Sequence, residues 1–386
     1  MTPMTKQDSS YEYGDRSLGD MKTRQLRFGE GVISAYVVGM LGTLCLFAVL
    51  CFRYPEYLTT AELREVYSPG PLQLALRIAL TVSLGLGAFS LMRSHNKKHV
   101  AGAGLACAAL AVVLGGYHVQ GRPVVDKPLS VGLDWLVLDL LASIAIFVTI
   151  EKLWPKYKEQ PVLRPAWKLD LGYFALNHVL IGAMLLVANT FAPEFFGWAV
   201  HDSARRGMNA LPLWAAVLVL MLAADFVQYW VHRAFHEVSW LWPFHAVHHS
   251  TEYMDWLAGS RMHFVQELCD RALVVVPLYL LGPSQAALNG YVGVATIQAV
   301  LVHCNINWRF GPLKHVFVTP QFHHWHHSKD MPAIDTNYGV HTTLWDKLFG
   351  THHLPGDHWP KEYGCVHPLP DGIAKQFVYP FKRSSR

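Results

Sequence analysis

Histidine is the residue type with the most uneven distribution in this chain of 386 residues. Of its 22 histidines, 17 lie between His232 and His367, more than an even distribution would place there. Imidazole nitrogens bind iron, zinc, copper and nickel, and they exchange protons near neutral pH. The second half of the chain is therefore where we expect its chemistry.

Nine of these histidines stand in arrangements that suit metal binding. They are His232, His236, His245, His248, His249, His303, His323, His326 and His327. The spacing HxxHH occurs twice, starting at His245 and at His323, and it brings three imidazoles onto adjacent helical turns. Asp225, Tyr229, His232 and His236 share one face of a helix. Ionisable groups at the end of a membrane helix usually face a site or a partner.

The number and type of these side chains indicate more than one metal ion. The clusters contain no cysteine and few carboxylates, and imidazole suits iron, zinc, copper and nickel. Structural zinc sites take four protein ligands, and catalytic zinc sites take three. Nine histidines exceed the needs of one ion and suit two, and two neighbouring redox metals can jointly activate O2. A single-zinc or pH-sensing arrangement is the alternative.

The elements that must position these histidines belong to an all-α, polytopic membrane protein. Hydrophobic residues make up 52% of the chain and charged residues 16%, whereas soluble domains contain about 25% charged residues. A spanning helix needs ~20 apolar residues. Six apolar blocks run over 31–52, 71–92, 100–117, 129–150, 169–191 and 211–231. A further stretch, 271–303, is interrupted at Gly282-Pro283 and predicts a hairpin of two short helices.

Basic residues in the loops predict the orientation of these helices. They precede the first block, separate the second from the third and separate the fourth from the fifth. The residues are Lys22, Arg24, Arg27, Arg93, Lys97, Lys98, Lys152, Lys156, Lys158, Arg164 and Lys168. This pattern predicts a cytoplasmic amino terminus. It also places a histidine-rich helical cap after His232, with the tail Lys382, Arg383 and Arg386, on the cytoplasmic side.

Charge and cysteine content exclude other classes of protein. The net charge of +4 is spread over several loops and gives no case for nucleic-acid binding. Six cysteines without a CxxC pair are expected to be reduced. A domain boundary near residue 125 is expected. Residues 1–125 would form an amino-terminal segment with three transmembrane helices, and 126–386 would form the catalytic domain.

The four histidine clusters resemble those of the fatty acid hydroxylase / sterol desaturase superfamily. The resemblance lies in HRxxH from His232, HxxHH from His245, a single His303 after a hairpin, and a final HxxHH from His323. Flanking segments agree as well, namely Asn337-Tyr-Gly, Trp345-Asp-Lys-Leu-Phe-Gly-Thr351 and Trp359-Pro-Lys-Glu-Tyr-Gly364. The match covers roughly 130–380, and the details are most similar to bacterial sterol-desaturase-type members.

This resemblance implies an integral-membrane, non-haem di-iron oxygenase in which the nine histidines bind two iron ions. Such enzymes use O2 and two electrons to hydroxylate or desaturate a C–H bond of a lipid, such as a sterol or a fatty acyl lipid. Hydroxylation is our first expectation, on a lipid that enters from the bilayer of a bacterial inner membrane. No haem-binding domain or dinucleotide fingerprint is visible, so a separate donor is implied, a ferredoxin or a cytochrome with its reductase. Arg233, Lys314 and Lys329 could meet an acidic donor.

Further residues are expected to support this site. Asp225 is the candidate for accepting a hydrogen bond from a ligand imidazole, because it lies two turns before His232 on the same face. His263 follows Arg261 where the family often has Arg-x-His-Pro, and it is a candidate to orient a ligand or to be a tenth one. Asn307 stands where some relatives carry another histidine. We expect His324 to face solvent.

Histidines outside the clusters are expected to play no part in the site. Five in the carboxy-terminal region are interpreted as surface or loop residues: His341, His352, His353, His358 and His367.

Two other functions remain open from the sequence. A zinc-dependent membrane hydrolase would need a glutamate beside a metal-bound water, as in HExxH. His236-Glu237 is not followed by that pattern, and nine histidines exceed its needs. A non-enzymatic metal or pH sensor is the second alternative. Only the oxygenase requires O2 to consume a substrate.

Overall fold

The structure is a computed structural model that describes residues 32–66, 68–93, 97–120, 124 and 130–382. All regular elements of the described residues are helical. Pairings of the β type occur there only as isolated bridges, such as Pro155 with Ile306 and Phe317 with Thr342. The all-α prediction is confirmed. Lys22, Arg24, Arg27, Arg383 and Arg386 lie outside the described residues, as does the predicted boundary near residue 125.

The chain divides into two compact units. Of the described residues, the first comprises those within 32–49 and 69–120. Its helices are α1 (Val32–Arg53, whose last residues belong to the second unit), α4 (Pro69–Arg93) and α5 (Lys98–Val113). Glycines bring α1 and α5 close together, since a Cβ added to Gly42 would lie 2.0 Å from the carbonyl oxygen of Gly104. Small residues at such crossings are typical of membrane helix packing.

The second unit comprises residues 50–68 and 121–386 and carries the histidine clusters. Its longer helices are α8 (Trp167–Phe196), α10 (Leu213–Glu237), α12 (Phe264–Leu281) and α13 (Gln285–Leu301). A π-helical segment, Ile144–Val148, joins α6 (Leu133–Ser143) to α7 (Thr149–Leu153). The remaining helices are short: α2 (Pro55–Leu58), α3 (Ala61–Val66), α9 (Asp202–Ala210), α11 (Trp242–His249), α14 (Pro320–His326), α15 (Leu344–Phe349) and α16 (Ile373–Val378).

Five helices of the described residues are long and apolar enough to cross a membrane. They are Ile33–Arg53, Pro69–Arg93, Leu133–Leu153, Trp167–Ala199 and Leu213–Glu237. In the Leu133–Leu153 helix only 17% of the most apolar window is buried inside the protein, so its surface suits lipid contact. These helices indicate an integral membrane protein. The block predicted over 100–117 forms the 16-residue helix α5, so the count of six spans stays a prediction.

The predicted break at Gly282-Pro283 separates two short helices, as expected. Gly282 ends α12 in the left-handed region at φ +53°, which favours glycine. The Ser284 side chain then caps α13 by accepting a hydrogen bond from the Ala287 N–H. Both helices pack against α10, where Leu220 and Tyr291 belong to one buried cluster. This packing fixes the position of α10, which carries His232 and His236, the first two of the nine predicted histidines.

Candidate metal centre

The nine predicted histidines lie together in two groups, which are formed by the end of α10 and by the segments that follow it. The five-histidine group consists of His232, His236, His245, His249 and His326, and the four-histidine group of His248, His303, His323 and His327. Within each group, the candidate ligand nitrogens all lie within 4.8 Å of one another. The rings of His249 and His327 stack at 4.4 Å between centroids, so the two groups are adjacent.

The two HxxHH repeats divide between the groups in opposite ways. On α11, His245 and His249 belong to the five-histidine group, and His248 belongs to the other. On α14, His323 and His327 belong to the four-histidine group, and His326 belongs to the other. Residues four apart share a helical face, whereas the residue one position earlier points further around the helix. Each repeat therefore contributes to both groups, and α10 completes only one.

Backbone carbonyls fix the orientation of several imidazoles. The Nδ1 atoms of His232 and His326 lie 2.9 Å and 2.8 Å from the carbonyl oxygens of Tyr338 and Thr336. Those of His248 and His303 lie 3.1 Å and 2.8 Å from the carbonyl oxygens of Arg261 and Ala299. A carbonyl oxygen only accepts, so these Nδ1 atoms carry the hydrogen. In the neutral imidazole, Nε2 is then left with its lone pair.

These lone pairs face one another inside each group. The Nε2 atoms of His248 and His303 are 3.3 Å apart, and those of His232 and His245 are 3.0 Å apart. The Nδ1 of His245 lies 2.9 Å from the side-chain oxygen of Gln266, so it too is the donor. No hydrogen is left for a bond between two such Nε2 atoms. The spacing instead fits ligands of one ion, because metal–imidazole bonds are ~2.0–2.1 Å long.

Two further observations agree with metal binding. The Nε2 atom of His236 is buried and has no hydrogen-bond partner among the described residues. A buried polar atom without a partner is costly unless something absent from the protein satisfies it. Cysteine is not part of either group, and an all-nitrogen set suits iron or zinc.

Burial keeps these imidazoles neutral, which is the form that binds metal. The pKa falls well below 6.5 because burial disfavours the charged form, and neighbouring imidazoles lower it further. This holds for His245, His248, His249, His323, His326 and His327.

The expected contact between Asp225 and a ligand imidazole is corrected. Asp225 is fully buried, but its oxygens accept hydrogen bonds from the backbone N–H groups of Val340, His341 and Thr342, each at 2.8 Å. Helical periodicity placed the Asp225 side chain on the correct side of α10. Periodicity within one helix could not identify the hydrogen-bond partner, which is a backbone segment more than a hundred residues later in the chain.

His263 and Asn307 also lie outside both groups. The Nδ1 of His263 accepts a hydrogen bond from the Val265 N–H at the start of α12. Its Nε2 lies 2.9 Å from the carbonyl oxygen of Phe377. His263 therefore caps α12 and ties it to α16, so the expectation of a tenth ligand is corrected. Asn307 is exposed.

The prediction that His324 faces solvent is wrong, whereas His341, interpreted as a surface or loop residue, is a buried loop residue. His324 is fully buried, with its Nδ1 2.9 Å from the hydroxyl oxygen of Tyr363. Every residue of α14 from Pro320 to His326 is buried, so this helix has no solvent face for His324 to occupy. His341 is also buried, with its Nδ1 2.9 Å from the side-chain oxygen of Gln298. His358 and His367 are exposed, as expected.

Comparison with known proteins agrees with the histidine pattern. The model of the fatty acid hydroxylase family matches residues 217–351. The ornithine lipid hydroxylase OlsE of Rhizobium tropici is 37% identical over 262 residues, which are 65% of this chain and 77% of that protein. Human alkylglycerol monooxygenase is 32% identical over 149 residues, 38% of this chain and 32% of its own length.

A third relative is less similar in sequence and is named for a different reaction. A very-long-chain aldehyde decarbonylase of Oryza sativa subsp. indica is 26% identical over 268 residues, 62% of this chain and 40% of its own length. No solved structure matches. The hydroxylase and the monooxygenase are oxidoreductases by name. Residues 217–351, which match the family model, contain all nine clustered histidines. On its histidine clusters and on the extent of the match to OlsE, this chain belongs to the fatty acid hydroxylase family.

Proposed function

We propose that this chain is an integral-membrane oxygenase that hydroxylates a lipid with O2 and two electrons, using two iron ions. The observation that carries the proposal is the pair of adjacent histidine groups, in which imidazole lone pairs converge at distances near 3 Å. The names of the relatives support the reaction class. A single zinc would leave one of the two groups without a role.

The protein's own contribution is the geometry and polarity of the site. The nine histidines would bind the metals, and iron bound there would supply the reduction of O2 and the attack on an unactivated C–H bond. The carbonyls of Tyr338, Thr336, Arg261 and Ala299 orient the imidazoles before any metal binds. Burial of both groups excludes bulk water, which would otherwise compete for the ligand atoms.

The substrate is proposed to be a lipid that reaches the site from the bilayer. Exposed apolar side chains on the spanning helices suit direct contact with lipid. Two relatives are named for ornithine lipid and alkylglycerol, which are both lipids with a polar head, so lipids of that kind are the first to test. Hydroxylation is preferred to desaturation on the same grounds.

The remaining parts of the proposal concern the surroundings of the site. Electrons would come from a separate ferredoxin or a cytochrome with its reductase. The cap would face the cytoplasm from a bacterial inner membrane, with both termini on that side. Residues 126–386 would form the catalytic domain, and residues 1–125 would anchor it.

The proposal is tested with the full chain purified in detergent after expression in iron-replete medium. Lipid extracts are incubated with the protein, a chemical or enzymatic electron source and isotopically labelled O2, and products are analysed by mass spectrometry. We expect a lipid that gains one labelled oxygen atom. A double variant, His245→Ala with His326→Ala, should lose this product, whereas the exposed His367→Ala should not. Turnover that proceeds without O2 would instead favour a zinc hydrolase.

A further inference from the structure

We propose that Asp225 and Asp346 are positioning residues for the five-histidine group, because together they fix the backbone segment that orients three of its imidazoles. This segment, 335–342, is called the acceptor segment. The inference rests on the proposed function only in requiring that the five-histidine group binds a metal.

The acceptor segment supplies hydrogen-bond acceptors to three ligands of one group. The carboxylate of Asp335 lies 3.2 Å from the Nδ1 of His236. The Thr336 carbonyl oxygen lies 2.8 Å from the Nδ1 of His326, and the Tyr338 carbonyl oxygen 2.9 Å from that of His232. The direction in which these three Nε2 atoms point therefore depends on where the backbone of the segment lies.

The backbone of the same segment is anchored by two buried carboxylates. Asp346 accepts hydrogen bonds from the N–H groups of Tyr338 and Gly339, at 2.7 Å and 2.8 Å. Asp225 accepts those of the next three residues, 340–342, each at 2.8 Å. Five consecutive N–H groups thus donate to two side chains that are both fully buried. Hydrogen bonds to an ionised acceptor are stronger than neutral ones, so the segment is held firmly without a helix or sheet.

Side chains at both ends reinforce this arrangement. The hydroxyl of Thr342 donates to Asp225 and that of Thr351 donates to Asp346, each at 2.7 Å. Gly339 lies so close to its surroundings that an added Cβ would be 2.3 Å from the Thr342 carbonyl oxygen and 2.7 Å from the Asp346 carboxylate. The backbone conformation of the acceptor segment therefore requires glycine at position 339 and the carboxylates of Asp225 and Asp346.

Asp225 also couples the segment to its ligand helix. It lies on α10, which carries His232 and His236, so one helix provides two ligands and an anchor for the segment that orients them. The four-histidine group takes its acceptors elsewhere, from Arg261 and Ala299. Disturbing the acceptor segment should therefore weaken one metal site and spare the other.

The test is an anaerobic Fe(II) titration of the metal-free full chain in detergent, followed by Mössbauer spectroscopy. The main variant is Asp346→Asn, which replaces one acceptor oxygen by an NH2 donor facing a backbone N–H. We expect one of the two irons to bind about 10–100-fold more weakly, and the other to bind as in the unaltered chain. Excess Fe(II) should refill the weakened site, because no ligand is lost. The exposed Asp357→Asn, which removes the same charge from the cap, should behave as the unaltered chain.

Single-ligand variants assign the two irons. His326→Ala removes a ligand of the five-histidine group, and His323→Ala removes one of the four-histidine group. The iron weakened in Asp346→Asn should be the one whose binding also weakens in His326→Ala, and not the one lost in His323→Ala. If Asp346→Asn does not fold, Thr342→Val decides, since it removes one hydroxyl from Asp225 at constant shape and should give a smaller shift at the same iron.

Three results would overturn the inference. These are unchanged binding of both irons in a folded Asp346→Asn chain, equal weakening of both, or weakening of the iron assigned to the four-histidine group. A folded Thr342→Val chain with unchanged binding counts equally against it when Asp346→Asn does not fold. If the unaltered chain binds no iron at all, the proposed function fails first, and this inference with it.

Discussion

The two histidine groups differ in how they are built and in what supports them. The five-histidine group takes two histidines from α10, and three of its imidazoles bond to the acceptor segment. The four-histidine group takes one histidine, His303, from the residues after α13, and its acceptors are two separate carbonyls, that of Arg261 in a loop and that of Ala299 in α13. Adjacent metal sites can therefore depend on different parts of the chain.

A buried ionic network lies beside the four-histidine group and supports it. The Arg261 guanidinium contacts Asp170 at 2.5 Å, and Arg164 contacts Asp170 and Asp255 at 2.5 Å and 2.7 Å. All four side chains are buried, and their charges balance. The Arg261 carbonyl is the acceptor for His248, so this network fixes the orientation of a ligand in the four-histidine group. Carboxylates bound to backbone N–H groups do the corresponding work for the other group.

The largest expected difference between the groups appears when one ligand is removed from each. His303→Ala leaves three imidazoles in its group, and we expect that iron to be lost. His236→Ala leaves four, and we expect its iron to be retained with weaker binding. Iron per chain after anaerobic loading measures both. Equal loss in the two variants would show that the extra imidazole does not make the five-histidine group more tolerant.

Breaking the ionic network should destabilise the protein and affect one group. Asp170→Asn leaves two buried guanidinium groups with a single carboxylate, and removing one partner of a buried ion pair costs about 3–5 kcal/mol. We expect a lower thermal unfolding midpoint, together with loss of the iron bound by the four-histidine group. Asp371→Asn, at an exposed position, is the matched control. A stable variant with both irons would mean that the network does not position His248.

His245 bonds to an acceptor that belongs neither to the acceptor segment nor to the ionic network. Gln266→Leu removes the side-chain oxygen that lies 2.9 Å from the His245 Nδ1. We expect about 10-fold weaker binding of iron in the five-histidine group alone. Gln285→Leu, at an exposed position, is the control. The same Fe(II) titration measures this shift, and a change in the other iron would contradict it.

The smallest effect is expected from a substitution at Tyr363, which contacts His324 outside both histidine groups. Tyr363→Phe removes the hydroxyl that lies 2.9 Å from the His324 Nδ1. Leaving a buried polar group unpaired costs about 1–3 kcal/mol, so the unfolding midpoint should fall while both irons remain. Tyr57→Phe, at an exposed tyrosine, should change neither. Iron loss in Tyr363→Phe would give His324 a direct part in the metal centre.

The sequence predicted which histidines lie together better than it predicted the groups that orient them. Residue type and spacing identify the nine histidines, because HxxHH fixes neighbouring imidazoles on a helix whatever surrounds it. The acceptors at Tyr338, Arg261 and Ala299 are backbone carbonyls, which every residue carries, so no sequence signal marks them. Asp225 was placed on the correct helical face and given the wrong partner, since periodicity describes one helix and not the segment that packs on it.

Burial was predictable for long helices and less so for short ones. The hairpin break at Gly282-Pro283 and the apolar spans follow from composition and turn chemistry. His324 was expected to face solvent, and His341, outside the clusters, was interpreted as a surface or loop residue. Both are buried in the structure, because every residue of α14 is buried and so are most residues of the segment that follows Tyr338. A seven-residue helix with no exposed face carries no hydrophobic period from which burial could be inferred.

The central claim is that the nine histidines form two separate iron sites. The most direct measurement is the iron content of the full chain after anaerobic Fe(II) loading, with and without His303→Ala. Two irons per chain, reduced to one in the variant with its remaining Mössbauer signal unchanged, is the predicted result. One tightly bound zinc with no iron after loading, or loss of both irons together in the variant, would contradict it.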